Sequence, residues 1–387
     1  MVFNAQVSSR HISEFSLSQK LKKKIQAFDL VRAFALLFLM AAHVHDYVDF
    51  KILKTIYPAF AHLCLILFAF TSGYFLPFGL PVENWTDLTG FLRKRLIRIY
   101  VLYVPALISF AVVFDYFRED TFLRFGKHLL SGQLFYTNHA NPCFTLWYIG
   151  FVVPCYVVFA VNAYLLFQLE KRASWMRGIS GSQTIGLSAF LLVLLAIENQ
   201  FYIDSRFALY FPALIGGVCA SEIGLFRNRE ISLKSVIVTV VLIGCLSIGI
   251  IAERNSLTPI PYVLKMIVVV AIPVTFVYLL SVIEGRLPSF VLRFMQTVSY
   301  SSFAIYLFHR PILSGVQSAL LMFGFENPYF ELAIFTLIVF PFILIPSGFL
   351  IQQLADELCK RLLSTGGHQA VNSATTTIGG TIQEKTK

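Results

Sequence analysis

This sequence predicts an all-α, polytopic membrane bundle of about ten transmembrane helices with both termini on the cytoplasmic side. Three observations carry that expectation. The 387 residues are 57% hydrophobic and only 13% charged, with mean hydropathy +0.72, whereas a soluble domain is ~25% charged. Apolar runs long enough to cross a bilayer core recur along the chain. When those runs are threaded alternately, most of the 31 Lys and Arg residues fall on the side that holds the N-terminus, as the positive-inside rule requires.

Taken in order, residues 1–27 form a basic tail that ends in Lys20, Lys22, Lys23 and Lys24. The transmembrane domain spans 28–357, with apolar segments near 28–48, 56–78, 96–117, 143–167, 184–198, 206–226, 232–252, 259–283, 297–323 and 329–357. A polar tail over 358–387, rich in Ser, Thr and Gly from Ser364 on, is expected to be disordered. The net charge of +10 is distributed as topology demands, so no nucleic acid partner is implied. Six cysteines without a CxxC pair read as core residues, and no metal site is expected.

The chemistry concentrates on a few polar side chains. In the first span, FDLVRAFALLFLMAAHVH, Arg32 and His43 are eleven residues apart. At ~100° per residue they share one helical face, ~16 Å apart along the axis. Ionisable groups inside a span are costly unless they face the bundle interior. Arg32 also reads as a snorkelling anchor, and His43 as an incidental interface residue. Asp46, one turn past His43, could hold the imidazole in one tautomer or simply end the helix in solvent.

The run FLRKRLIRIY places Arg95 and Arg98 one turn apart at a helix start. Such a pair suits a phosphate-bearing cytosolic ligand, although basic clusters also serve topology and lipid headgroups. Ser72 and Gly73 in LFAFTSGYFLPF permit close approach of a helix or a ligand. Trp147 and Tyr148 open the fourth segment at the expected outer interface, as belt residues or as a stacking surface for a sugar. In SYSSFAIYLFHRP, Tyr306 and His309 lie one turn apart, with His309 at roughly the depth of His43.

On these elements the chain resembles the acyltransferase-3 family of integral membrane O-acyltransferases, the cell-surface glycan acetylases, from about Phe28 to about Leu350. The resemblance rests on Arg32-x10-His43, FTSGY, the RLIR step with Arg95 and Arg98, TLWYI and SYSSFAIYLFHRP, in that order. One departure is Ala33, where a glycine commonly follows the first arginine. The family implies a ten-helix bundle in the plasma membrane, in bacteria the inner membrane. It also implies transfer of an acyl group, most often acetyl from cytosolic acetyl-CoA, to a hydroxyl of a cell-surface or secreted glycan or a lipid-linked glycan. Arg32 and His43 would then be essential, and Arg95 and Arg98 would help hold the donor. A neutral His43 suits a general base or an acyl-accepting nucleophile. His309 and Tyr306 would orient the acceptor or stabilise the oxyanion. The competing class is a transporter or flippase for a small molecule or lipid-linked glycan, but no internal repeat or matched pair of broken helices supports it.

Overall fold

The computed structural model describes residues 26–44, 46–48, 51–114, 121–131, 145–173, 182–197, 205–226, 262–325 and 327–382. The basic tail as far as residue 25 and the expected segment 232–252 lie outside the described residues. Every element among the described residues is helical. A backbone surrounded by lipid must satisfy its own hydrogen bonds, and a helix does so within one segment. The helices are α1 (Gln26–Val44), α2 (Lys51–Phe75), α3 (Trp85–Val113), α4 (Thr121–Leu129), α5 (Trp147–Arg172), α6 (Ser182–Ile197) and α7 (Ser205–Glu222). After these come α8 (Tyr262–Glu284), α9 (Ser289–Met322) and α10 (Pro328–Ile334). The chain then passes through a π-helical stretch, Phe335–Leu344, into α11 (Ile345–Ile382).

Six of these stretches are long and apolar enough to cross a membrane, against about ten expected. The fifth and sixth expected segments appear as shorter apolar helices, Ser182–Val193 and Leu209–Glu222. The ninth is the long helix α9, whose serines, Gln296, Arg293, His309 and Arg310 dilute its hydropathy. Helix α11 runs on past residue 358 to Ile382. No proline follows Pro346 to stop that helix. Arg361 also bonds Glu357 one turn back at 3.4 Å, which supports it locally.

Helix α1 sits at the centre. Val31, Ala33, Ala35, Leu36 and Ala42 are fully buried. Phe28 stacks on Tyr74 of α2, and Phe34 packs edge-on against Phe276 of α8. Helix α9 lies alongside α1 and runs parallel to it: Ser299 bonds Asp29, His309 packs on His43, and the Tyr47 hydroxyl donates to the Arg310 carbonyl at 3.2 Å. Helix α11 packs antiparallel on α9, with Gly348 against Ile305 and Phe349 against the Tyr300 ring.

Helices α2 and α7 cross closely. A Cβ on Gly73 would fall 2.0 Å from the Leu214 carbonyl oxygen, and one on Gly217 would fall 2.1 Å from that of Phe70. Small residues at such crossings let backbones approach where lipid supplies no hydrophobic drive. The outward faces carry Val112, Leu165, Leu192, Leu337, Phe342 and Leu354, as lipid contact requires.

Candidate active site

A cavity of about 1050 Å³ opens among α1, α3, α5, α9 and α11. Arg32 of α1 and Arg95 and Arg98 of α3 line it, with Lys360 of α11. Each arginine is positioned by its surroundings. The Arg95 guanidinium donates to the carbonyl of Phe75, the last residue of α2, at 3.1 Å, and lies 5.5 Å from the Phe91 ring centroid and 5.6 Å from that of Tyr156. Arg32 lies over the Phe75 ring at 5.0 Å. Its charge faces Asp29 one turn earlier and is opposed by Arg95. Asp29 also accepts a hydrogen bond from the Ser299 hydroxyl at 2.9 Å, which ties the arginine-bearing turn of α1 to α9. Like charges held around one void favour an anionic occupant, and guanidinium forks match phosphate.

At its inner end the cavity is lined by Phe68, Tyr148 and Tyr306. The Tyr306 hydroxyl donates to the Thr145 carbonyl at 2.8 Å, and its ring meets that of Tyr148 edge-on at 6.0 Å. The Tyr148 hydroxyl is buried beside that of Ser72, which also lines the cavity. A phenol O–H in that position is a donor that a guest can use.

Beyond the tyrosines lies a second polar cluster. The rings of His43 and His309 are 4.9 Å apart. His43 Nδ1 lies 3.3 Å from an Asp46 carboxylate oxygen, and Asp46 is also paired with Arg310. Burial works to raise the Asp46 carboxyl, but the hydrogen bond to His43 and the Arg310 charge outweigh it and hold it at about 2. An ionised carboxylate only accepts, so His43 Nδ1 carries the proton and Nε2 is left as the basic atom. The same logic applies to His309. Its Nδ1 lies 2.6 Å from the Tyr306 carbonyl, which can only accept. Its Nε2 is therefore a lone-pair acceptor, buried without a hydrogen-bond partner among the described residues. Two imidazoles in matching tautomers thus stand together one residue layer from the arginine cavity.

The sequence of this chain matches the acyltransferase domain of the acyltransferase 3 family over residues 25–351. The chain belongs to the acyltransferase 3 family. No curated protein and no solved structure matches it. It is therefore a membrane acyltransferase, and the matched span covers the three arginines of the cavity and the histidine pair.

Within this acyltransferase 3 domain, several expected residues converge. Arg32, Arg95, Arg98, Ser72, Tyr148 and Tyr306 all line the cavity, while His43, Asp46 and His309 form the adjoining cluster. Two residues stand apart from this convergence. Gly73 is not on the cavity wall but in the α2–α7 crossing, where its missing Cβ makes room for the Leu214 backbone. Trp147 and Tyr148 do not form one stacking surface, since consecutive helical residues point ~100° apart. Tyr148 faces the cavity, whereas Trp147 packs on Tyr210 and is covered by the Arg206 guanidinium at 4.5 Å. Sequence reasoning also misses Asp29, Tyr156 and Arg310. Asp29 is readable in principle, because it lies one turn before Arg32. Arg310 adjoins His309, yet its pairing with Asp46 joins residues 264 positions apart.

Proposed function

We propose that this acyltransferase 3 protein moves an acetyl group from cytosolic acetyl-CoA to a hydroxyl of a cell-surface or secreted glycan. The observation that carries this reading is the pairing of a tri-arginine cavity with an Asp–His base across a single layer of tyrosine. CoA is polyanionic at one end and carries the reactive thioester at the other, joined by a thin arm. Its phosphates would sit against Arg95 and Arg98 on the cytoplasmic side, since the flanking Arg93, Lys94 and Lys360 suit that face by charge. Arg32 would meet the arm deeper in, and the thioester would reach Tyr148 and Tyr306, with Ser72 beside them.

His43 Nε2, its ring held by Asp46, would take the proton from the acceptor hydroxyl as the oxygen attacks the thioester carbonyl. The carbon–sulfur bond then breaks, and the imidazolium returns the proton to the departing thiolate. The Tyr148 phenol would donate to the carbonyl oxygen as charge develops there. His309 Nε2 offers a second acceptor for the incoming hydroxyl. A two-step variant, in which His43 first carries the acetyl group, uses the same atoms. Trapping an acetyl-histidine after rapid mixing decides between the two routes. For transfer to occur, the acetyl end must pass between the Tyr148 and Tyr306 rings, or those rings must turn aside.

The donor half is tested by binding of radiolabelled acetyl-CoA to purified protein in detergent. Saturable binding competed by CoA is expected. No binding at millimolar donor would overturn the reading.

A further inference from the structure

One wall of the cavity belongs to α11, whose polar residues have no part in the reaction as described. There the Asp356 carboxylate is engaged on both oxygens. It accepts from the Tyr300 hydroxyl of α9 at 2.7 Å and from Gln352 Nε2 at 3.1 Å. Because a carboxylate only accepts, the Gln352 amide must turn its NH2 toward Asp356 and its carbonyl oxygen away. Among the described residues that oxygen, Oε1, is buried without a hydrogen-bond partner, and Gln352 lines the cavity. The protein therefore holds an unanswered acceptor in the wall of a space lined by three arginines.

Its depth identifies the group it would meet. Gly348 packs on Ile305, beside Tyr306, while Cys359 lies against the Ile97 carbonyl, beside Arg98. Gln352 falls between these levels, about 10 Å along the helix from Cys359 at ~1.5 Å per residue. It is thus beyond the arginines that would hold phosphate and short of the tyrosines that would meet the thioester.

We infer that Gln352, oriented by Asp356 and Tyr300, accepts a hydrogen bond from an amide N–H of the pantetheine arm of the donor. The inference rests on the acyl-CoA reading above and deepens it. It assigns a specificity residue that would favour a phosphopantetheine thioester over an acyl phosphate, which has no N–H to offer. Asp356 and Tyr300 are positioning residues, since they act through the amide they hold.

The test compares wild type with Gln352→Met, which keeps shape and removes the acceptor. Each is assayed with acetyl-CoA and with two analogues in which one or the other pantetheine amide N–H is replaced by an ester oxygen. Gln352→Met is expected to raise the Kd for acetyl-CoA about tenfold, as loss of one buried hydrogen bond would, with an unchanged elution profile. One analogue should weaken wild-type binding by a similar factor and weaken Gln352→Met no further. Equal acetyl-CoA binding by wild type and Gln352→Met, or indifference of wild type to both analogues, overturns the assignment while leaving the donor reading intact. Failure of wild type to bind acetyl-CoA at all overturns both.

Discussion

At Asp46 one carboxylate meets both His43 and Arg310, and this contact decides which imidazole nitrogen is basic. With the Asp46 carboxyl held at about 2, against ~3.9 unfolded, its contribution to stability is fully present above about pH 4. That contribution is lost only as the pH falls through about 2. A rate change between about pH 5 and 8 therefore does not come from Asp46, because only imidazole-like groups titrate there. Asp46→Asn should lower kcat by about 10²-fold, since an amide can present either a donor or an acceptor to Nδ1 and the tautomer is no longer fixed. Its KM for acetyl-CoA should be unchanged, which steady-state kinetics on the solubilised protein would check. Arg95→Ala and Arg98→Ala should act on the opposite parameter. Each should weaken acetyl-CoA binding by about 10–100-fold, the span expected for a charge-assisted hydrogen bond, and isothermal titration reads this directly. Unchanged affinity would mean that these arginines serve topology alone.

The element scale explains which parts of the site are legible from sequence. Arg32 with His43, and Arg95 with Arg98, are readable because both pairs are local, and helical spacing alone puts their members on one face. The parallel packing of α1 on α9 is not readable that way. It depends on contacts such as Asp29–Ser299 and His43–His309 between segments about 270 residues apart, and no period in one sequence encodes such a register. The same limit explains Tyr148: an aromatic at a helix start reads as an interface residue until its neighbours are known. Gly73 shows the reverse case, a residue whose smallness is legible while its partner is not. At the α2–α7 crossing, Gly73→Ala and Gly217→Ala would each drive a methyl into a backbone carbonyl. Each should destabilise the fold by about 1–3 kcal/mol, the usual cost of overpacking, visible as a lowered melting temperature in detergent. Gly285→Ala, where nothing lies within 4 Å of the added Cβ, is the matching control.

At the scale of the whole molecule, the bundle places two unlike polar sites on one axis. One suits a phosphorylated donor, and the other a hydroxyl that needs a base. Composition and charge asymmetry suffice to predict a helical membrane protein, because the bilayer permits few alternatives. The separation of the two sites by Tyr148 and Tyr306 fits the proposed entry of donor and acceptor from opposite sides. The most direct test is mass spectrometry of surface glycans from cells expressing wild type or His43→Ala at equal membrane levels. Acetyl groups present with wild type and absent with His43→Ala are expected, whereas undiminished acetylation in the variant would contradict transfer at the histidine pair.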